Sequence, residues 1–324
     1  ADKTITITTP SGLADDDEVT YTVYRVFAAT ANGSAISYQS LDGNAPTGFV
    51  VDDAYNVYLG TATDTATEAE GEIQIKVGGA TKYIVPSTAS ELTATQIEAI
   101  ADYTGKEEVG TVKITGASQS KTVTVPDYGY FYITTTTGTV VTINSTNKSA
   151  SVTDKNSVPT IDKKIVGFDE ETGYGSYDEA GKNAIAQVGT VVDYEVTIVV
   201  GKGAKNYVFH DVMDDGLQYN NDVEISPEKD ANELTIVKNT TTVGDDTLTV
   251  AFNDGIKEGT EITITYSATV TSDALQTDPA NNTASIDFGE NYTIDVETPP
   301  AVYNAKFTVT KQDGEGEALP GAGF

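Results

Sequence analysis

The sequence contains no cysteine and no tryptophan, and only one methionine and one histidine. Disulfides, thiol nucleophiles and cysteine-based zinc sites are excluded outright, and a single imidazole leaves little room for a catalytic triad. Basic side chains are scarce: 19 Lys and Arg stand against 49 Asp and Glu, a net charge of -30. Such a surface repels polyanions, so nucleic acid and anionic lipid are not expected partners. No apolar run approaches the length of a membrane span. There is no leader-like segment either, and Ala1-Asp2-Lys3 reads as a start left by signal cleavage. A disulfide-free extracellular chain would need another staple.

What is abundant is alternation. Thr4-Ile5-Thr6-Ile7-Thr8, Glu72 to Val77, Thr111 to Ile114, Lys121 to Val125, Asp193 to Ile198, Thr247 to Val250 and Glu261 to Tyr266 each switch between apolar and polar residues. That is the period of half-buried strands, broken by turn residues at sandwich-like intervals. One helix is expected, where Thr93-Ala94-Thr95-Gln96 forms a capping box before Ile97 and Ile100, with Gly105 as its C-cap. The expected fold is all-β: tandem immunoglobulin-like sandwiches with one short helix in the first.

The polar stretch from Thr146 to Pro159 and the pair Pro299-Pro300 mark boundaries. They give three parts: residues 1–157, residues 158–298, and residues 299–324 as the start of a third domain, too short to bury a core.

Strand parity singles out three polar residues in the middle part. Lys163 shares a face with Ile161 and Ile165; Asp211 with Tyr207, Phe209 and Met213; Asn282 with Ala284, Ile286 and Phe288. Each would bury one polar group among apolar neighbours, at about 1–3 kcal/mol if unpaired. The segments that carry them, Pro159 to Lys164, Tyr207 to Leu217 and Asn281 to Phe288, resemble the isopeptide-forming domain of Gram-positive fimbrial proteins. Tyr21 to Phe27 and Pro126 to Ile133 are similar to the N-terminal domain of the backbone pilins of that group, which sortases assemble into pili.

The resemblance implies a structural, non-enzymatic subunit without cofactor or metal, displayed outside the cell and anchored to the wall. Its partners would be other pilin subunits, joined covalently by a pilin-class sortase. It also implies that Lys163 and Asn282 join as an amide, with Asp211 assisting. In the family the polymerising lysine ends the N-terminal domain in a Tyr-Pro-Lys-Asn context. Here Val152-Thr153-Asp154-Lys155-Asn156 keeps Lys-Asn alone, which makes Lys155 the candidate and Lys148 its competitor. Lys311, on the face of Phe307 and Val309, repeats the lysine strand in the third part. With its family partners lying beyond Phe324, it should be unreacted.

Other signals read as ordinary structure. Lys3 and Asn147 lie on inward parities of the first domain but lack an acidic partner, so Lys3 reads as solvated. His210 falls on the face opposite Asp211. Gly201 to Lys205 lacks phosphate-loop spacing, and Asp15 to Glu18 lacks that of a calcium loop. The rival within the resemblance is a tip adhesin that binds host matrix protein or glycan. A carbohydrate-active enzyme built on β-sandwich modules is disfavoured by the lone histidine and the missing tryptophan platforms.

Overall fold

The computed structural model describes residues 3–32, 35–89, 91–138, 141–145, 149–227, 236–239, 246–254, 256–276, 279–304, 312 and 315. Their regular secondary structure is overwhelmingly strand, with one α-helix among the described residues. The chain divides into two compact units. One holds Ala1–Val158 with Lys202–Lys205, the other Pro159–Gly201 with Asn206–Phe324.

In the first unit, a three-stranded sheet places Lys3–Thr8 between Ser149–Thr153, which runs parallel to it, and Ser120–Val125, antiparallel. The larger sheet is organised on the long strand Glu18–Asn32, which pairs with Gly129–Thr135, Ala35–Ser40 and Glu107–Thr115. Alternation explains its core: Ile5, Ile7, Val19, Tyr21, Val23, Phe131 and Ile133 point inward and are buried. The helix is Ala94–Asp102, and the Thr93/Gln96 capping box is present in full. It stops earlier than Gly105 implied, because Tyr103 turns extended and its hydroxyl bonds Asp42 at 2.7 Å. Ile100 packs the helix against Val26, Phe27 and Tyr132.

In the second unit, one sheet runs in the order Thr160–Phe168, Val191–Val199, Glu261–Val270 and Leu217–Tyr219. The opposing sheet contains Asn183–Ala186, Ala301–Tyr303, Ala280–Phe288, Val208–Met213 and Leu248–Phe252 in that order. Tyr292–Asp295 folds back on the Ala280–Phe288 strand. One detail differs from the sequence reading: the chain does not leave this unit at Pro299-Pro300, since Ala301–Tyr303 pairs with both Asn183–Ala186 and Ala280–Phe288, and Val302 is fully buried. The prolines break one strand and start another, because their missing N–H groups interrupt a ladder without dictating where the chain goes next.

Candidate functional site

Three strands position the site. Lys163 comes from Thr160–Phe168 in one sheet; Asp211, from Val208–Met213, and Asn282, from Ala280–Phe288, come from the opposing sheet. Alternation alone aims each inward. In the lysine strand, Lys163 and Ile165 are buried while Lys164 reaches Glu195 at 2.8 Å on the outer face. In the asparagine strand, Asn282, Ala284, Ile286 and Phe288 are buried, whereas Thr283 is exposed. The acid and asparagine strands are direct neighbours, with Asp211 opposite Ala284 and Met213 opposite Asn282.

Lys163, Asp211 and Asn282 are each 0% exposed. The Lys163 ammonium forms an ion pair with Asp211 Oδ2 and also donates to the Thr283 carbonyl at 3.1 Å. The structure thus brings the three predicted residues into one fully buried cluster that spans the two sheets. Burial pulls the Lys163 amine down to about 8, against the opposing pull of Asp211. Burial likewise pushes the Asp211 carboxyl up, opposed by Lys163 and Tyr266. Two acceptors, Asp211 Oδ1 and Asn282 Oδ1, are buried without a hydrogen-bond partner. Buried acceptors left without partners are costly.

Sequence reasoning missed two residues that complete the cluster. Tyr266 donates its hydroxyl proton to Asp211 Oδ2 and accepts from Asn282 Nδ2 at 3.4 Å. Tyr194 stacks on Tyr266, with ring centroids 5.7 Å apart and planes 19° from parallel, and the Lys163 amine lies 5.6 and 5.5 Å from the two ring centres. Both were legible as phenols on apolar faces: Tyr194 with Val196 and Ile198, Tyr266 with Ile262 and Ile264. Lys182 approaches from outside, donating to the Lys163 carbonyl and pairing with Asp162 at 2.6 Å. Gly181 allows that approach. Its φ is +67°, and a Cβ there would meet the Ile165 carbonyl at 2.4 Å.

Lys155 lies in the first unit, two residues beyond Ser149–Thr153, the strand that pairs in parallel with Lys3–Thr8. It is exposed, and its two chain neighbours are buried. Asp154 Oδ2 accepts from Tyr21 at 2.9 Å, Thr135 at 2.9 Å and Thr137 at 2.8 Å, while Asp154 Oδ1 accepts from the Asn156 backbone at 2.9 Å. The Asp154 amide is bonded to Thr8. The backbone on both sides of Lys155 is therefore fixed while its side chain faces solvent.

The remaining candidates fall elsewhere. Lys3 is only partly exposed, but it pairs with Asp127 at 2.6 Å and lies over the Tyr128 ring, away from the core. His210 is on the outer face, 2.7 Å from Asp246 and 3.2 Å from Asp287. Gly201 donates to the Tyr207 hydroxyl in a turn, and Asp17 closes another by accepting from Ala14. Lys148, Asn147 and Lys311 lie outside the described residues. Among the described residues, no group of three acidic or histidine side chains could hold a metal ion, and no helix is long and apolar enough to cross a membrane.

No known sequence family matches the chain, and no curated protein does. Solved structures do. The chain is similar to the full-length major pilin SpaD of Corynebacterium diphtheriae, at 15% identity and a TM-score of 0.48, over 98% of this chain and 70% of that one. It is similar to the major pilin subunit BcpA of Bacillus cereus at 13% identity and 0.39, over 94% and 69%. It is also similar to the pilus protein RrgB of Streptococcus pneumoniae at 14% and 0.40, over 90% of this chain but only 49% of that one.

Proposed function

We propose that this chain is a structural subunit of a surface pilus, stiffened by an amide bond between the side chains of Lys163 and Asn282 and joined to the next subunit through Lys155. The observation that carries the reading is the buried Lys163–Asp211–Asn282 cluster between the sheets. An ion pair is an expensive way to fill a core, and two unpartnered acceptors make it more so. The arrangement makes sense as the reactant of a folding-coupled reaction.

The chemistry follows from burial. A proton moved from Lys163 to Asp211 leaves a neutral amine, the nucleophilic form, in a core that disfavours both charges. The amine nitrogen attacks the Asn282 carboxamide carbon. The new C–N bond forms, the old one breaks, and ammonia departs. One turnover per molecule leaves a neutral amide where two buried charges had been.

The bond ties one sheet to the other and closes a loop of about 120 residues, which by analogy with disulfides is worth about 4–5 kcal/mol through the unfolded chain. It also lets tension enter at the lysine strand and leave near the end of the unit without loading the intervening strands. Lys155 suits an acyl-acceptor role because its amine is exposed on a pinned backbone. A sortase could join it to the C-terminal threonine of another subunit, building an extracellular, wall-anchored polymer.

Intact mass with peptide mapping tests the reading. The purified chain should weigh one ammonia less than its sequence, and digestion should yield a branched Lys163–Asn282 peptide. Replacing Lys155 with alanine should leave that deficit in place and stop sortase-dependent polymerisation. A full sequence mass would remove the cross-link.

One observation favours a second reading, an adhesin. The first unit carries a groove of about 820 Å³ whose walls include Phe27, Tyr38, Phe49, Tyr58 and Tyr130. Binding of host matrix protein or glycan by the full chain, abolished by Tyr58→Ala, would support it.

A further inference from the structure

We propose that Tyr266 is the proton carrier of the cross-linking step, passing the proton held by Asp211 to the departing nitrogen of Asn282. The inference rests on the Lys163–Asn282 amide proposed above and goes beyond it, because it assigns the step that expels ammonia.

An amide nitrogen leaves poorly unless it is protonated, and Lys163, Asp211 and Asn282 are closed to bulk solvent, so the proton is best drawn from a neighbouring side chain. Asp211 is the acid, yet it shares no hydrogen bond with Asn282. The Tyr266 hydroxyl touches both, donating to Asp211 Oδ2 and accepting from Asn282 Nδ2 at 3.4 Å. Lys163 Nζ contacts that same carboxylate oxygen. One oxygen of Asp211 therefore meets both the amine that must lose a proton and the phenol next to the nitrogen that must gain one.

The protons balance. Attack by the neutral Lys163 amine on the Asn282 carbon gives a tetrahedral intermediate with a cationic Nζ and an anionic oxygen. Tyr266 gives its hydroxyl proton to Nδ2 and takes one from the Asp211 carboxyl. Asp211 recovers a proton from Nζ. The oxygen re-forms its double bond to carbon, the C–Nδ2 bond breaks, and ammonia leaves; Tyr266 and Asp211 end as they began.

The ring is held for this task. Tyr266 stands directly opposite Tyr194 in the sheet, stacks on it, and meets Tyr219 edge-on at 6.0 Å. Burial and the neighbouring carboxylate hold its phenol well above the usual range, so it hands protons on without resting as a phenolate.

The experiment is a mass-spectrometric time course on the full chain after a short expression pulse, in H₂O and in D₂O. Tyr266→Phe keeps the ring and its stacking. It should slow ammonia loss by on the order of 10²-fold and abolish most of the solvent isotope effect of the parent chain. A second variant with 3-fluorotyrosine at position 266 retains the hydroxyl and the fold but alters its acidity, and should change the rate. If the parent loses ammonia and both variants match its rate, the relay is wrong and the cross-link stands. If Tyr266→Phe does not fold, an unchanged rate in the fluorotyrosine chain overturns the relay by itself. If the parent never loses ammonia, the cross-link falls and the relay with it.

Discussion

Among the described residues each unit buries one carboxylate, and the two are solvated in opposite ways. Asp154 of the first unit meets only neutral donors, three hydroxyls and a backbone amide, divided over both of its oxygens. Asp211 of the second unit meets an ammonium and a phenol on one oxygen, and its other oxygen has no partner. A carboxylate surrounded by fixed neutral donors is a finished structural joint, since nothing nearby gains by exchanging a proton with it. A carboxylate sharing one oxygen between an amine and a phenol, beside an amide whose oxygen has no partner, sits among the proton donors that the proposed reaction would draw on. Burial alone does not distinguish structure from chemistry; the identity of the partners does.

The largest effect should come from removing the electrophile. Asn282→Ala should abolish ammonia loss and lower the stability of the second unit by about 4–5 kcal/mol, roughly 10–20 °C in calorimetry, while the transition of the first unit stays put. If both transitions fell together, the two units could not be contrasted as independent.

Next comes the joint. Asp154→Ala strands three hydroxyls and an amide, and should cost about 2–4 kcal/mol in the first unit. Asp154→Asn, which keeps one acceptor, should cost less. The mass deficit should be unchanged in either variant; a lost deficit would mean that Asp154 is not merely structural.

The pH profile of the reaction sharpens the contrast further. In the proposed reaction one proton is shared between Lys163 and Asp211, so the rate of ammonia loss should fall above about pH 8, where burial has placed the amine and the pair gives up that proton. It should fall again in acid, when the raised Asp211 carboxyl takes up a second proton and the amine stays charged. A rate that instead climbs through pH 8 to a plateau would show that amine deprotonation is enough and that the Asp211 proton is dispensable.

The smallest effect belongs to Lys3. Its pair with Asp127 is partly solvent-accessible, so Lys3→Ala should change stability by less than about 1 kcal/mol and leave the deficit at one ammonia, read by intact mass. A deficit of two ammonias in the parent chain, reduced to one by this substitution, would place a second cross-link in the first unit.

Much of this was legible in the sequence, for a physical reason. A strand's side chains alternate strictly, so a lysine flanked at two residues' distance by isoleucines has to point inward wherever its strand ends up. Lys163, Asp211 and Asn282 were readable on that ground, and the same rule shows Tyr194 and Tyr266 on apolar faces. It does not show that the tyrosines would be opposite one another, nor that Tyr266 would stand between acid and amide. Those relations depend on which strands pair and in what register, and the partners are separated in sequence by tens of residues.

Boundaries were read less well, since Pro299-Pro300 looks the same whether the chain leaves a domain or re-enters its sheet. The clamp at Asp154 was invisible for a related reason. Its donors, Tyr21, Thr135 and Thr137, come from distant strands that converge only after folding. The sequence by itself determined the all-β character, the inward face of Lys163, Asp211 and Asn282 and the absence of disulfide and thiol chemistry, because those follow from side-chain period and composition. Only the tertiary structure decided which buried carboxylate meets a lysine, because that depends on two sheets closing face to face over residues far apart in the chain.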